Sequence, residues 1–302
     1  MLRFSYRHRM DQNQMSCIES RTREPRITPM HKAYLTGWLC LVLCLTACDA
    51  QPARVPTIQV QVTLFTSPAP TAQPTKETTW LTLSPGIALL RTPAQVNGHT
   101  ERLIIARVDA QRAMLRVLYD PQAPRSVRDW QAASSATLVI NGGFFDDDYR
   151  ATGLLIADGQ AFGRTYRGFG GMFFVRKGRP SIQSLRAQPY RPDPAIRQAV
   201  QSFPLLVMNG QRVPPIEDGE RRNRRSFVAI DDQGRILLGV TLMAQWTLND
   251  LADFLAASPA LGVRHALNLD GGASAGLWLR GRDDLSMNSF EPVPAVIAVF
   301  DL

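Results

Sequence analysis

Two apolar runs in this chain each end on a polar residue followed by a pair of glycines, and this repeated punctuation limits what the chain can become. The first run is Ala136-Thr137-Leu138-Val139-Ile140-Asn141-Gly142-Gly143-Phe144-Phe145, and the second is Ala266-Leu267-Asn268-Leu269-Asp270-Gly271-Gly272-Ala273-Ser274. A short apolar, β-rich segment delivers a polar side chain, and the glycines then let the backbone approach a bound group and expose its N–H donors. One such site is ordinary turn chemistry. Two of them, one with an amide and one with a carboxylate, are expected to form two walls of a single site.

The working part of the chain is shorter than its 302 residues. Met30-His31-Lys32 followed by Ala33 to Leu45 reads as a basic n-region and an apolar h-region, too short to span a bilayer comfortably. It ends in Leu45-Thr46-Ala47-Cys48, a lipobox, so Cys48 is expected to carry a lipid and to become the new N-terminus. Residues 1–29 read as an extension from a misassigned start codon, 30–47 as the signal peptide, 48–79 as a Pro/Thr-rich disordered tether and 80–302 as one domain. The expected location is exported, held by lipid on the outer face of the cytoplasmic membrane or in the periplasm.

Cysteine and charge counts agree with this division. Cys17, Cys40 and Cys44 are lost on processing and Cys48 is lipidated, which leaves neither disulfide nor thiol nucleophile in the domain. Seven of the 34 Lys/Arg and three of the 26 Asp/Glu fall within residues 1–47, so the net charge of +8 drops to +4 for the remainder. With no nucleic-acid motif either, a nucleic-acid partner is not expected. His99 and His265 are the histidines left, too few for a multi-histidine metal site.

Along the domain, strand-like text runs through Ile87–Arg91, Leu103–Val108 and Leu115–Tyr119, then a helix over Ser126–Ser134 leads into the first glycine signature. Strands are expected at Thr152–Asp158 and Gly171–Lys177, a helical turn at Ile196–Val200, and a hairpin at Arg225–Ile230 and Arg235–Thr241. Thr247 caps a helix whose apolar face is Leu248, Leu251, Phe254 and Leu255, and the strand Ala266–Leu269 follows. Each glycine signature therefore follows a helix, a short loop and a strand. The expectation is an α+β fold, a single domain with a mixed, curved sheet and a few packed helices.

Asp270 stands at a strand end beside Gly271 and Gly272, placed either to act on a ligand or to cap its own turn. Ser274 can donate to a ligand or brace the loop, and Asn141 can donate and accept at once, which suits a sugar hydroxyl or N-acetyl group. Of Phe144 and Phe145 at least one is expected to point inward. Asp146, Asp147 and Asp148 can hold a hard cation in principle but lack the ligand spacing of a calcium loop, so no metal or other cofactor is expected. Among Arg221, Arg222, Arg224 and Arg225, the first two read as solvated surface; Arg225 adjoins the apolar strand, and its planar fork suits phosphate.

The segments Asn141–Phe145 (NGGFF) and Asp270–Ser274 (DGGAS) resemble the paired signatures of the phosphodiester glycosidase family. Gly153-Leu154 with Asp158-Gly159, Pro204-Leu205-Leu206 with Asn209-Gly210, Arg225 to Ile230, and Pro292-Val293-Pro294 with Ile297 resemble further family segments in the expected order. Ala273 stands where a third glycine is common, and Glu291 where an arginine is frequent. The resemblance implies hydrolysis of a sugar-1-phosphodiester at its glycosidic side. It implies catalytic roles for Asp270, Asn141 and Arg225, and substrate contacts from Gly142, Gly143, Gly271, Gly272 and Ser274. The implied partner is a sugar phosphate or glycan. Two other functions fit the same residues: a lipid-anchored glycan-binding protein without turnover, and a hydrolase of another envelope glycan bond.

Overall fold

The computed structural model describes residues 79–217 and 220–302. The segments expected to form the extension, signal peptide and tether, Cys48 included, lie outside the described residues, apart from Thr79 at the tether's end.

Seventeen strands and two α-helices make up the described part. β1 (Leu81–Ser84), β2 (Ile87–Val96), β3 (His99–Val108), β11 (Leu205–Met208), β12 (Gln211–Arg212), β13 (Ser226–Asp231), β14 (Ile236–Thr241) and β15 (Val263–Asn268) form an eight-stranded sheet in the order β1-β2-β3-β14-β13-β15-β11-β12. A four-stranded sheet, β16-β5-β17-β4, is built from β16 (Leu277–Leu279), β5 (Leu138–Asn141), β17 (Ala295–Asp301) and β4 (Ala113–Tyr119). A five-stranded sheet, β7-β6-β10-β8-β9, joins β7 (Gln160–Phe162), β6 (Leu155–Ala157), β10 (Ile196–Ser202), β8 (Gly171–Arg176) and β9 (Arg179–Ser184).

The main core lies between the sheets, because alternate residues of the same strand serve opposite faces. Val228, Ile230, Leu238 and Val240 join residues of the other two sheets, such as Leu138, Ile140, Phe173 and Val200. Their neighbours Phe227, Ala229 and Leu237 face the other way, toward α2 (Leu248–Ala257), with Trp246, Leu251 and Leu255. With both faces buried, these strands read as near-continuous apolar text. Gly239 is required there: a methyl group on it would stand 2.2 Å from the Phe227 ring. α1 (Val127–Ser134) covers the outer face of the four-stranded sheet through Val127 and Trp130.

Both helix starts are capped, the second by Thr247 as expected. The Ser126 hydroxyl accepts from Asp129 N at 3.2 Å, and Thr247 with Asp250 forms a reciprocal capping box. Gly234, with φ 78°, turns the β13–β14 hairpin.

Two expectations fail. Ile196–Val200 is not a helical turn but the start of β10, paired with β6 and β8. Its β-branched Ile196 and Val200 are buried, and the sheet satisfies its internal glutamines: Gln198 Oε1 accepts from Val117 N at 2.7 Å, linking two sheets. The sheet is also not mixed, since every described strand pair is antiparallel. The fold is accordingly β-dominated rather than an even α+β mixture. The reason lies in the two helical crossovers. β4-α1-β5 and β14-α2-β15 each join strands that run in the same direction, but β17 separates the first pair and β13 the second. These are split β-α-β units, in which the parallel strands never touch.

Candidate active site

Each split unit ends on one glycine signature, and the two ends meet. Asp270 N donates to Gly142 O at 3.1 Å, and Asn141 Nδ2 donates to Asp270 O at 2.7 Å. The cleft wall is thus backbone stitched across two sheets.

Asn141 is placed behind that wall. It is fully buried, and its amide is used on both sides. Nδ2 also reaches Gly142 O at 3.3 Å, while Oδ1 accepts from Ser226 Oγ at 2.7 Å and from Gly276 N at 3.2 Å. A side chain so engaged has no capacity left for a sugar hydroxyl. Its geometry is that of a positioning residue.

The glycines are needed mainly for close approach. A methyl group on Gly142 would lie 3.0 Å from Ala295 O, on Gly143 2.8 Å from Gln201 O, and on Gly271 2.8 Å from Arg224 O. Gly272 adds a left-handed φ of 65° and opens the 3₁₀ turn Gly272–Ser274, in which Ser274 is buried.

The segment leading into β13 supplies the arginines. Leu269 N donates to Ser226 O at 2.8 Å and Gly272 N to Arg224 O at 2.8 Å, so Asp270 and Arg225 fall between these two bonds, opposite one another at the strand ends. Arg225 is buried; its Nη2 donates to Arg221 O and its Nε has no partner among the described residues. Desolvation, reinforced by Arg221 and opposed by Asp250, lowers its pKa from the ordinary guanidinium value to about 10. Arg224 turns to the opposite face. There its Nη2 donates to the Ala275 and Asn288 carbonyls, and the Phe290 ring covers the guanidinium at 4.0 Å. Burial lowers its pKa as well. Among the described residues neither guanidinium has a carboxylate at ion-pair distance. Arg221 and Arg222 are exposed, as expected.

An aromatic wall stands on the side of Asp270 away from β13. Phe144 stacks on Phe203 with centroids 4.4 Å apart; Tyr166 and Phe169 stack at 4.8 Å and each meets Phe203 edge-on at 5.6 Å. All four rings are half-buried, whereas Phe145 points into the core beneath α1. Asn268 Nδ2 ties this wall to β15 by donating to Phe203 O at 2.8 Å. The sequence reading missed Asn268, Phe203, Tyr166 and Phe169. The Asn-Leu-Asp spacing did hold a signal, since alternation places Asn268 and Asp270 on one face.

The remaining candidates lie elsewhere. Asp146 Oδ1 caps its own turn through the N–H groups of Asp148 and Arg150 at 3.0 and 2.8 Å, and Asp148 pairs with Arg150 at 3.2 Å. His265 sits within β15, opposite Ile230, about 16 Å along the strand from Asp270.

A sequence profile of the phosphodiester glycosidase family matches residues 134–300, which span both glycine signatures and everything between them. This chain belongs to that family. The Escherichia coli K12 protein YigE, itself uncharacterised, is 29% identical over 163 residues, which cover 51% of this chain and 62% of YigE. Among solved structures, the catalytic domain of zebrafish N-acetylglucosamine-1-phosphodiester α-N-acetylglucosaminidase, auto-inhibited by its pro-peptide, superposes with a TM-score of 0.57 at 17% identity. That match covers 74% of this chain and 86% of the zebrafish domain. A hypothetical protein from Synechocystis gives 0.53 at 16% identity, over 76% of this chain and 64% of its own. At such identities the two structures establish a common fold. The family's own name is that of a glycosidase-type hydrolase.

Proposed function

We infer that this protein hydrolyses a sugar-1-phosphodiester, cleaving on the glycosidic side and releasing a free sugar and a phosphomonoester. The junction of the two glycine signatures carries this reading. By backbone register Asp270 has Arg225, buried and with no carboxylate at ion-pair distance among the described residues, on one side and the segment carrying Phe203 of the aromatic wall on the other. Aromatic faces suit the C–H face of a sugar ring, and a buried cation with no carboxylate at ion-pair distance suits a phosphate.

Asp270 attacks the anomeric carbon, forming a glycosyl ester that water then hydrolyses to the free sugar, or takes the proton of a water that attacks that carbon directly; on either route the bond from the carbon to the phosphate oxygen breaks. The bonding electron pair leaves on the phosphate, and Arg225 faces the charge that grows there. Because phosphate is a good leaving group, a single carboxylate suffices where ordinary glycosidases use two. Asn141 acts through others, holding the backbone of Asp270 in register. The lipobox text at Cys48 supports placing this activity on an envelope or extracellular glycan.

The test is a substrate panel for the purified protein. We expect turnover of a p-nitrophenyl phosphodiester of a sugar-1-phosphate, followed as release of the phosphomonoester, and none of the plain p-nitrophenyl glycoside. Binding of the phosphodiester without turnover would leave a glycan-binding protein. Cleavage of the plain glycoside alone would point to another glycan bond.

A further inference from the structure

Two buried polar atoms beside the aromatic wall have no partner among the described residues. Asn268 is 3% exposed, and its Oδ1 accepts nothing, although its Nδ2 is bonded to Phe203 O. Ser202, which precedes Phe203, is fully buried with its Oγ likewise unpartnered. Orphaned atoms of this kind are scarce in folded proteins, because each loses its bond to water and gains none in return. Here one belongs to the residue that holds the Phe203 carbonyl and the other to the residue that precedes Phe203.

The backbone gives Asn268 little freedom to turn away. Its N–H donates to Pro204 O at 3.0 Å while the side chain holds the preceding carbonyl, so amide and ring move together. Exchanging the amide's oxygen and nitrogen would set Oδ1 against the Phe203 carbonyl, two acceptors face to face. The free atom is therefore the acceptor. Two residues further on, Asp270 continues the same strand face, about 7 Å away.

We propose that Asn268 is a specificity-determining residue whose Oδ1 accepts a hydrogen bond from one hydroxyl or amide N–H of the sugar held between Asp270 and the Phe203 ring. This rests on the sugar-phosphodiester reading and sharpens it. A sugar lacking that donor leaves the acceptor buried and unmet, and discrimination against a missing donor is stronger than against a missing methylene.

The experiment is a calorimetric titration with non-hydrolysable phosphonate analogues of glucose 1-phosphate and of its 2-, 3-, 4- and 6-deoxy forms. For the wild-type protein we expect one deoxy position to bind about tenfold or more weakly than the parent, with much smaller losses at the others. In Asn268→Leu the parent should weaken by a similar factor and that one deoxy penalty should vanish. Asn268→Asp, which keeps an acceptor but breaks the bond to Phe203 O, should retain the position-specific penalty. If Asn268 merely props up Phe203, both variants weaken every probe alike and the deoxy profile is unchanged, which overturns the proposal. A crystal structure of the wild-type protein with the parent phosphonate decides the matter even if Asn268→Leu fails to fold. A sugar donor within hydrogen-bond distance of Oδ1 supports it, and an ordered water retained there overturns it. No binding of any analogue by the wild type rejects the sugar-phosphate reading, and this proposal with it.

Discussion

The two split β-α-β units obey one sequence plan yet put their polar residues to opposite uses. In the first, Asn141 is the last residue of β5, with β16 on one side and β17 on the other. Its side chain is enclosed and becomes a brace. In the second, Asp270 lies two residues past the end of β15 and is half exposed. A shift of two residues relative to the strand end separates scaffold from candidate chemistry. The pattern of helix, strand and Gly-Gly specifies where the backbone goes, and the position of the last paired residue decides what faces the cleft.

The largest contrast between the units should come from substituting their polar residues. Asp270→Asn is nearly isosteric; we expect kcat to fall by about 10²–10⁴-fold, with melting temperature and sugar-phosphate affinity preserved. Asn141→Ala strands Ser226 Oγ, Gly276 N and Asp270 O and should cost about 2–4 kcal/mol of stability, read as a lower denaturation midpoint. Should Asn141→Ala melt normally while losing substrate affinity, Asn141 would be a substrate ligand and the contrast would collapse.

A smaller effect should separate close approach from backbone angle. Gly271→Ala places a methyl group against the Arg224 carbonyl and should cost about 1–3 kcal/mol, and turnover should drop with it because Asp270 shifts. A Gly271→Ala protein with wild-type midpoint and rate would show that the turn has slack.

The smallest effect concerns the helices feeding the two units. Burial pushes the Asp250 carboxyl upward, but hydrogen bonds from Thr247 and Asn97 outweigh it and leave the pKa below the usual 3.8. A depressed carboxyl contributes stability above its unfolded value and loses it as pH falls through its folded value. The α2 cap should therefore weaken only below about pH 3.8, and Asp250→Asn should flatten the acid limb of a midpoint-against-pH curve. An unchanged acid limb would remove Asp250 from the account.

Much of this was legible in the sequence because it is local. The Thr247 cap and the hairpin around Gly234 depend on residues a few positions apart, and each was found where expected. What failed was long-range. Ile196–Val200 carries too little periodicity to distinguish a turn from a strand, and its partners β6 and β8 decide for the strand. The mixed sheet was a sound inference from two helix-strand successions, but nothing local says that β13 and β17 insert between the strands they join.

By itself, the sequence determined that two glycine signatures would exist, that strands would lead into them and that Asp270 would stand at a strand end. These follow from the bond geometry of neighbouring residues. Only the tertiary structure decided that Asn141 is buried and Asp270 is not, that Arg224 is covered by Phe290 and held by Ala275 and Asn288, and that Asn268 holds the Phe203 carbonyl. Burial and pairing are properties of what packs against a residue. For Asn141, Arg224 and Asn268 the decisive neighbour lies tens of residues or more away along the chain.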